Sequence, residues 1–440
     1  NMTSEKLLSA PQAALETLPA RLSAARKGER LTKAELNALC ALAQNPETAP
    51  GVARLAAALR HQVASPPLSK ELARAVYGEI HKVSVSRLEQ YERCPFAHYV
   101  RYGLEPVEIK PFEISPPDEG SFFHSALEGY LRELMDLSEL PGENEARARM
   151  DQLVDQLFSS TMDSLLKDSS INRAQAAQMR RKARGAAWAL TRQLKGAGFK
   201  PCAVEMNFGS AQPKVTLRPE SGPVALAGII DRVDVFQDGG VDYLRIIDYK
   251  RGQAELSLER VYAGLQLQLL LYLAAALMAH PGEPGGVFYF VVDEPLVEES
   301  SMNPETVERT RTQETRLRGL MLNEEKVIRA MGQEPGAVVR GARFKKDGGL
   351  ASDAPALSRE EFSLLMNHAL RAAERAMDAI RSGDTRIAPA MLSDYTACKT
   401  CDLKPICQFD EGLPGADYCR HEKLSREQVM SRLKEEESPR

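Results

Sequence analysis

The chain has 440 residues, of which 43% are hydrophobic and 27% charged, and its formal net charge is −4 at pH 7. This composition is typical of a globular protein of two or three domains, or of one domain with large insertions. The net charge gives no bulk attraction for nucleic acid, no run of 18 apolar residues occurs and the start lacks a signal-peptide pattern, so we expect a cytoplasmic protein without a membrane span.

Helical patterns occupy the first half of the chain. Residues 1–82 have apolar residues at helical spacing, broken by "PETAPG" and "SPPLS", which predicts a helical lead-in. The stretch "SVSRLEQYERCPFAHYVRYGL" (84–104) predicts a helix capped by Ser84 or Ser86 that breaks at Cys94 and Pro95. Another helix is predicted to begin at residue 121, and charged helical sequence continues to about residue 195.

A basic segment at 179–200, "MRRKARGAAWALTRQLKGAGFK", stands out within this acidic chain. It forms either the solvated face of a helix or a surface that contacts DNA phosphates. The candidate DNA-binding residues are Arg181, Lys182 and Arg184.

Strand patterns follow the basic segment, at 202–209, 214–219, 224–236 and 243–250. The sequence "QDGGVD" predicts a hairpin turn between the last two runs. We then predict a long helix at about 257–279, a buried strand at 285–294, and helical sequence in the remainder, notably at 358–382.

Asp248 and Lys250 lie two residues apart in "LRIIDYKRG", so both side chains point to the same face of the predicted strand. The pair forms either a salt bridge at a strand end or a metal site with a lysine beside it. Asp231, in "AGIIDRVDV" on the neighbouring strand, favours the metal site, because two carboxylates on adjacent strands can bind one Mg²⁺ ion. Lys250 would then position or activate a water molecule and offset charge in the transition state.

Polar residues on two predicted helices add to this pattern. His124 lies near a helix start in "EGSFFHSALE", and Gln268 and Tyr272 lie four residues apart on one face of the helix after the lysine strand. Structural alternatives are a histidine satisfied at a helix start and a core amide bonded to backbone. Glu205, in "AVEMNFG", is expected to be a solvated charge at a strand edge.

Three of the seven cysteines form the C-x2-C-x5-C pattern "CKTCDLKPIC" at residues 398–407. Such spacing predicts a metal or iron–sulfur site that needs a fourth ligand. Cys40, Cys202 and Cys419 are most simply free thiols.

The motifs "GSFFH", "GIID", "IDYK" and "QLLLY" occur in this order and resemble the RecB-type nucleases of the PD-(D/E)XK superfamily. The proline of the nominal motif is replaced here by Ile230, as in many RecB-type members. The resemblance implies an α/β fold with a mixed sheet flanked by helices and large helical insertions. It also implies a Mg²⁺-dependent deoxyribonuclease with His124, Asp231 and Asp248 as metal ligands. The implied catalytic set is Lys250, Asp248, Asp231, His124, Gln268 and Tyr272.

The cysteines narrow this resemblance to the AddB-type subunits of bacterial helicase–nucleases, in which one cysteine precedes the nuclease core and three follow it. The resemblance implies a [4Fe–4S] cluster that clamps the two ends of the nuclease domain around DNA, with a four-thiolate zinc site as the alternative. It implies a nuclease domain at 83–425, after the lead-in at 1–82 and before a charged tail at 426–440. The implied cluster ligands are Cys94, Cys398, Cys401 and Cys407.

An AddB-type chain would work with an AddA-type helicase–nuclease subunit on single-stranded DNA from an unwound duplex. Its expected role is an exonuclease that resects DNA ends during double-strand-break repair and recombination. The chain contains no G-x-x-x-x-G-K-[ST] motif, so we expect no ATP hydrolysis by this chain alone. Two alternatives stay open at this stage: a stand-alone iron–sulfur exonuclease and a non-catalytic DNA-binding scaffold.

Overall fold

The computed structural model describes residues 11–26, 28–60, 63–107, 114–162, 169–209, 215–293, 303–332, 334–345, 350–351, 353–393, 395–413 and 415–437. Residues 1–10 of the predicted lead-in and residues 214 and 294 of two predicted strands lie outside this part. Among the described residues, no helix has both the length and the apolarity to cross a membrane.

The lead-in contains four helices with a small core of their own. Ala14, Leu18 and Leu22 of the first helix pack against Ala38 and Leu42 of the second. Apolar residues at helical spacing thus bury one stripe, as the sequence pattern predicts. The helices are α1 (Pro11–Arg26), α2 (Lys33–Gln44), α3 (Ala49–Arg60) and α4 (Lys70–Tyr77).

A short strand and five helices precede the rest of the sheet. As predicted, Ser84 caps the helix that ends before Cys94. The next long helix begins at Pro116, before the predicted start at residue 121, because Ser115 and Asp118 form a capping box and Pro116 fits the first turn. The elements are β1 (Lys82–Ser84), α5 (Val85–Arg93), α6 (Pro95–Tyr99), α7 (Pro116–Met135), α8 (Glu143–Leu157) and α9 (Ser170–Leu194).

An eight-stranded mixed sheet forms the centre of the molecule, with the strand order β1-β4-β5-β6-β7-β8 and with β2 and β3 also paired to β4. The β1–β4, β5–β6 and β7–β8 pairs are parallel, and the other pairs are antiparallel. The remaining strands are β2 (Lys200–Phe208), β3 (Val215–Leu217), β4 (Val224–Asp238), β5 (Val241–Lys250), β6 (Glu283–Val291), β7 (Arg318–Leu322) and β8 (Ala356–Leu357).

The predicted hairpin between β4 and β5 is present. Asp238 pairs with Val241 across a two-residue turn. Gly239 and Gly240 both have positive φ, 58° and 78°, which a tight hairpin turn requires and which glycine adopts without steric cost. The turn sets the register that brings the other ends of β4 and β5 together.

The long helix predicted at 257–279 is wrong in its first half. It consists of two helices, α10 (Leu258–Tyr262) and α11 (Gln268–Ala279), separated by an irregular connection. Gly264 in that connection has a φ of 75°, which ends the first helix. As a result α11 begins at Gln268, and its N-terminus faces the end of β5.

The remainder of the chain is not wholly helical, contrary to expectation. It includes β7, β8 and a second, three-stranded sheet with the order β10-β9-β11. Short apolar runs such as "RGLML" do not distinguish a buried strand from a helix by periodicity. The elements are α12 (Pro304–Glu314), α13 (Glu325–Ala330), α14 (Pro335–Val338), α15 (Arg359–Arg381), β9 (Ala390–Leu392), β10 (Tyr395–Thr396), α16 (Lys404–Cys407), β11 (Cys419–His421) and α17 (Arg426–Glu437).

The predicted helix at 358–382 is present as α15, and it packs on the main core. The segment expected to be a charged tail forms α17, and its Val429, Met430 and Leu433 are buried in the same core. The charged residues of α17 therefore cover one face of a packed helix.

Candidate active site

Three neighbouring strands place a carboxylate each at one edge of the sheet. Glu205 of β2 lies between Val204 and Met206, whose partners on β4 are the residues either side of Asp231. The β4–β5 pairing begins with Arg232 opposite Ile247, one position inside Asp231 and Asp248. The antiparallel register therefore brings Glu205, Asp231 and Asp248 to adjacent positions.

His124 of α7 completes a metal-ligating group. Its Nδ1 lies 3.2 Å from Asp231 Oδ1 and 3.7 Å from Glu205 Oε1. Among the described residues, His124, Glu205 and Asp231 are the one group of three whose ligand atoms all lie within 4.8 Å of one another. Burial lowers the pKa of His124, but the carboxylates of Asp231 and Glu205 outweigh burial and raise it to about 10.

Glu205 is thus in the site, and the expectation of a solvated strand-edge charge is wrong. Its side chain is 23% exposed and its backbone has a φ of 50°. No sequence motif marks it, but the strand pairing to Asp231 would have indicated it once the register was known. The structure places Asp248, which we expected beside His124, closer to Lys250 instead.

Asp248 is 2% exposed, and burial dominates its chemistry. Burial raises its pKa, Lys250 opposes the increase and Asp231 adds to it, giving a value of about 7. Two carboxylate oxygens, Asp248 Oδ2 and Glu205 Oε1, accept no well-directed hydrogen bond from any described residue. Buried carboxylate oxygens without donors are costly unless a cation binds them.

Lys250 is held on two sides at the end of β5. Its Nζ lies 2.7 Å from Asp248 Oδ2 and donates a hydrogen bond of 2.9 Å to Gln268 Oε1. Gln268 Nε2 in turn donates to the Tyr272 hydroxyl at 3.1 Å. Burial lowers the pKa of Lys250, but Asp248 outweighs burial and the net shift is upward. The lysine is therefore a fixed ammonium ion, and the i, i+4 pair on α11 serves to hold it.

A buried ion group clamps the two central strands on the other face of the sheet. Asp234 accepts hydrogen bonds of 2.7 Å from Arg232 and from Arg245, and all three side chains are fully buried. Because Asp234 and Arg245 are direct partners across β4 and β5, this group fixes the strands that carry Asp231 and Asp248.

The four cysteines predicted as cluster ligands line one cavity of about 120 Å³. Burial raises the pKa of Cys94, and burial together with the other three thiols raises that of Cys398 to about 11. No three of their sulfur atoms meet the 4.8 Å spacing that defines the His124 group, within the part of the chain that the structure describes. The cavity is lined by Cys94, Cys398, Cys401 and Cys407 together with residues of α6 and the 387–409 segment.

The predicted basic helix is α9, and it borders a cavity of about 400 Å³. Arg181 is exposed, whereas Lys182 Nζ lies 2.6 Å from Asp293 and Arg184 makes two hydrogen bonds to Asp151. Asp293 also accepts a hydrogen bond from the backbone of Gly252, just after β5. The Lys182–Asp293 pair therefore connects α9 to the strand that bears Lys250.

Comparison with known proteins identifies the fold. The family model described as "PD-(D/E)XK nuclease superfamily" matches residues 82–408. The chain belongs to the PD-(D/E)XK nuclease superfamily. The mixed sheet flanked by helices agrees with this assignment, so the resemblance and the core fold class predicted from the sequence are confirmed.

Curated relatives of this superfamily member are AddB-type subunits that carry the name "ATP-dependent helicase/deoxyribonuclease". The chain is 37% identical to that of Moorella thermoacetica over 370 residues, which cover 80% of this chain and 32% of the relative. It is 33% identical to that of Alkaliphilus metalliredigens over 398 residues, covering 86% and 34%, and 31% identical to that of Alkaliphilus oremlandii over 384 residues, covering 84% and 34%. The chain spans about a third of the length of these relatives.

Proposed function

We propose that this chain is a Mg²⁺-dependent deoxyribonuclease and acts as the nuclease region of a helicase–nuclease complex. The observation that supports it most is the convergence of Glu205, Asp231, Asp248, His124 and Lys250 at one sheet edge in a superfamily of nucleases. In this proposal the chain degrades single-stranded DNA from an unwound duplex, as an exonuclease, and resects ends for double-strand-break repair and recombination. Its partner is an AddA-type helicase subunit, consistent with the name of the curated relatives.

The donor set fits a magnesium ion. Three carboxylates and an imidazole offer ligands at the sheet edge, and the undonated oxygens of Glu205 and Asp248 need a cation. We assign the metal ligands to His124, Asp231 and Asp248, as the superfamily resemblance implies, and add Glu205. When bound, Mg²⁺ would polarise the phosphodiester and lower the pKa of a bound water molecule.

Lys250 stabilises negative charge in this proposal. An upward pKa shift keeps the ammonium protonated, so it can donate to a phosphate oxygen or to the attacking water, but it is a poor general base. Gln268 orients the ammonium through its carbonyl oxygen, and Tyr272 fixes the amide of Gln268 in the required direction. Gln268 and Tyr272 therefore act by holding the lysine in place.

For the cysteines we propose a [4Fe–4S] cluster on Cys94, Cys398, Cys401 and Cys407. One zinc ion needs its sulfur ligands about 3.8 Å apart, from a Zn–S distance near 2.3 Å in a tetrahedron, and no three of the described sulfurs lie that close together. Four thiols around one cavity at wider spacing fit a larger cluster, since the thiolates bind separate iron atoms.

For the DNA path we propose the exposed side of α9. Its cavity contains Trp188, with the Arg192 guanidinium 5.7 Å from the ring centre, so a base could stack beside a cationic surface. Arg181, Lys182 and Arg184 would contact the phosphates.

The decisive experiment is digestion of end-labelled single- and double-stranded DNA with and without Mg²⁺. We expect Mg²⁺-dependent cleavage by the wild-type chain, none by Asp248→Ala, and a loss of about 10²- to 10³-fold in kcat for Lys250→Ala, which removes one transition-state contact. Asp248→Ala should fold normally, because it removes a buried carboxylate beside Asp231. Lys250→Ala should still bind Mg²⁺.

Asp242→Ala is the matched control, because Asp242 lies at the far end of the same strand and pairs with His280. It should cleave DNA at the wild-type rate. Wild-type rates for either Asp248→Ala or Lys250→Ala would contradict the site assignment.

A further inference from the structure

Helix α11 lacks a cap of its own at the end that faces the active site. Its N-cap residue is Leu267, whose apolar side chain accepts no hydrogen bond. The first N–H groups of a helix have no partner within the helix and require acceptors from elsewhere. Gln268, the residue that holds Lys250, is the first residue of this helix.

The missing cap is supplied by Glu89 of α5, far away in the sequence. Its Oε1 accepts hydrogen bonds from Leu267 N at 2.7 Å and from Gln268 N at 3.0 Å. The Glu89 side chain is only 12% exposed, and its other oxygen lies 3.9 Å from Arg93. Burial raises the pKa of Glu89, and its charge adds to the upward shift in the pKa of Lys250. A buried carboxylate at a helix N-terminus is stabilised by the helix dipole and rigidly placed.

We propose that Glu89 is a positioning residue for the catalytic lysine. By capping α11 it fixes the backbone of Gln268, and Gln268 then holds the Lys250 ammonium where negative charge develops. Glu89 itself touches neither the metal ligands nor the reacting phosphate in this arrangement. The inference rests on the proposed nuclease function and adds to it a residue outside the nuclease motifs.

The test compares Glu89→Ala, Glu89→Gln and Gln268→Ala under saturating DNA and Mg²⁺. We expect Glu89→Ala to lower kcat by about 10- to 100-fold, the usual cost of losing a group that orients an active-site residue, with little change in KM. Glu89→Gln should recover most of the rate, because its amide oxygen can accept both hydrogen bonds. The double variant with Gln268→Ala should be no slower than Gln268→Ala alone, since both act on the same lysine.

Two further measurements separate this inference from a purely structural role and from the nuclease proposal itself. Hydrogen exchange at the amides of residues 267 and 268 should become faster in Glu89→Ala, whether or not the protein cuts DNA. Glu92→Ala is the control: Glu92 lies on the same helix and makes no hydrogen bond to α11 in the described part of the chain, so its kcat should stay at the wild-type value.

Each outcome of these experiments has one meaning. Wild-type protein that fails to cut DNA contradicts the proposed function, while exchange at residues 267 and 268 still reports the cap. Active wild type with an equally active, folded Glu89→Ala overturns the inference, and so does additive loss in the double variant or unchanged exchange. Should Glu89→Ala not fold, Glu89→Asp takes its place, because its shorter side chain cannot reach both amides; a wild-type kcat for it would equally overturn the inference.

Discussion

Glu205 has a left-handed backbone conformation in the middle of a strand pairing, with a φ of 50°. For a residue other than glycine this conformation costs about 1–2 kcal/mol. Such strain is concentrated at functional sites, where the surrounding structure maintains it. Here it directs the carboxylate of Glu205 toward His124 and Asp231.

Glu205→Gln should therefore weaken Mg²⁺ binding while leaving the fold intact. The substitution removes one anionic ligand but keeps the size of the side chain. We expect the Mg²⁺ concentration for half-maximal cleavage to rise at least about tenfold, the smallest loss typical even of residues that only orient metal ligands. Calorimetric titration with Mg²⁺ should give the same shift, and an unchanged titration would remove Glu205 from the metal site.

At the scale of single elements, α9 combines an internal role with a candidate DNA surface. Lys182 and Arg184 already have carboxylate partners in Asp293 and Asp151, so part of their charge is neutralised within the protein. Arg181 is exposed on the same helix. The three basic residues are therefore not equivalent for phosphate binding.

Arg181→Glu should weaken DNA binding more than Arg184→Glu, and equally for all sequences. Each lost phosphate contact releases one counterion fewer, so the slope of log K against log salt should flatten by about 1 for Arg181→Glu. Fluorescence anisotropy with single-stranded DNA over a range of salt concentrations measures both effects. Unchanged slopes in both variants would assign α9 to the solvated-face alternative.

At the scale of the whole molecule, two distant parts of the chain meet around the cysteine cavity. Tyr91 donates a hydrogen bond to Asp384, Phe96 N donates to Arg386 O at 3.0 Å, and Arg101 pairs with Asp402. Cys94 and Cys398 are roughly 300 residues apart, so a cluster joining them would close a loop worth at most about 5–6 kcal/mol of unfolded-state entropy. The cluster should matter for stability rather than for the chemical step.

Cys94→Ala should accordingly lower the unfolding midpoint and expose residues 383–425 to protease. Helix α17 should stay docked after cleavage, because Val429, Met430 and Leu433 are buried in the main core. The purified wild-type protein should be brown, with iron and acid-labile sulfide in equal amounts. Cys419→Ala is the control, since Cys419 lies on β11 outside the cavity. Stoichiometric zinc without iron, in protein purified without oxygen, would rule the cluster out.

The local sequence determined several features of this protein by itself. Asp248 and Lys250 lie on one strand face because side chains alternate along a strand, and Gln268 and Tyr272 meet because residues four apart share a helix face. The Gly239–Gly240 turn and the Ser84 cap are equally local. Motif order was sufficient for the superfamily because its motifs occur at the predicted strand and helix positions.

Only the tertiary structure decided which groups from distant segments act together. Glu205 enters the site through the register of β2 on β4, and Glu89 reaches the start of α11 from a helix 178 residues away in the chain. Neither position has a local signal, because an isolated glutamate has the same pattern whether it is solvated or buried. The start of α11 at Gln268 likewise depends on Gly264 and on the acceptor that Glu89 supplies. Contacts between distant segments depend on packing and register, and these physical quantities are set by the whole chain.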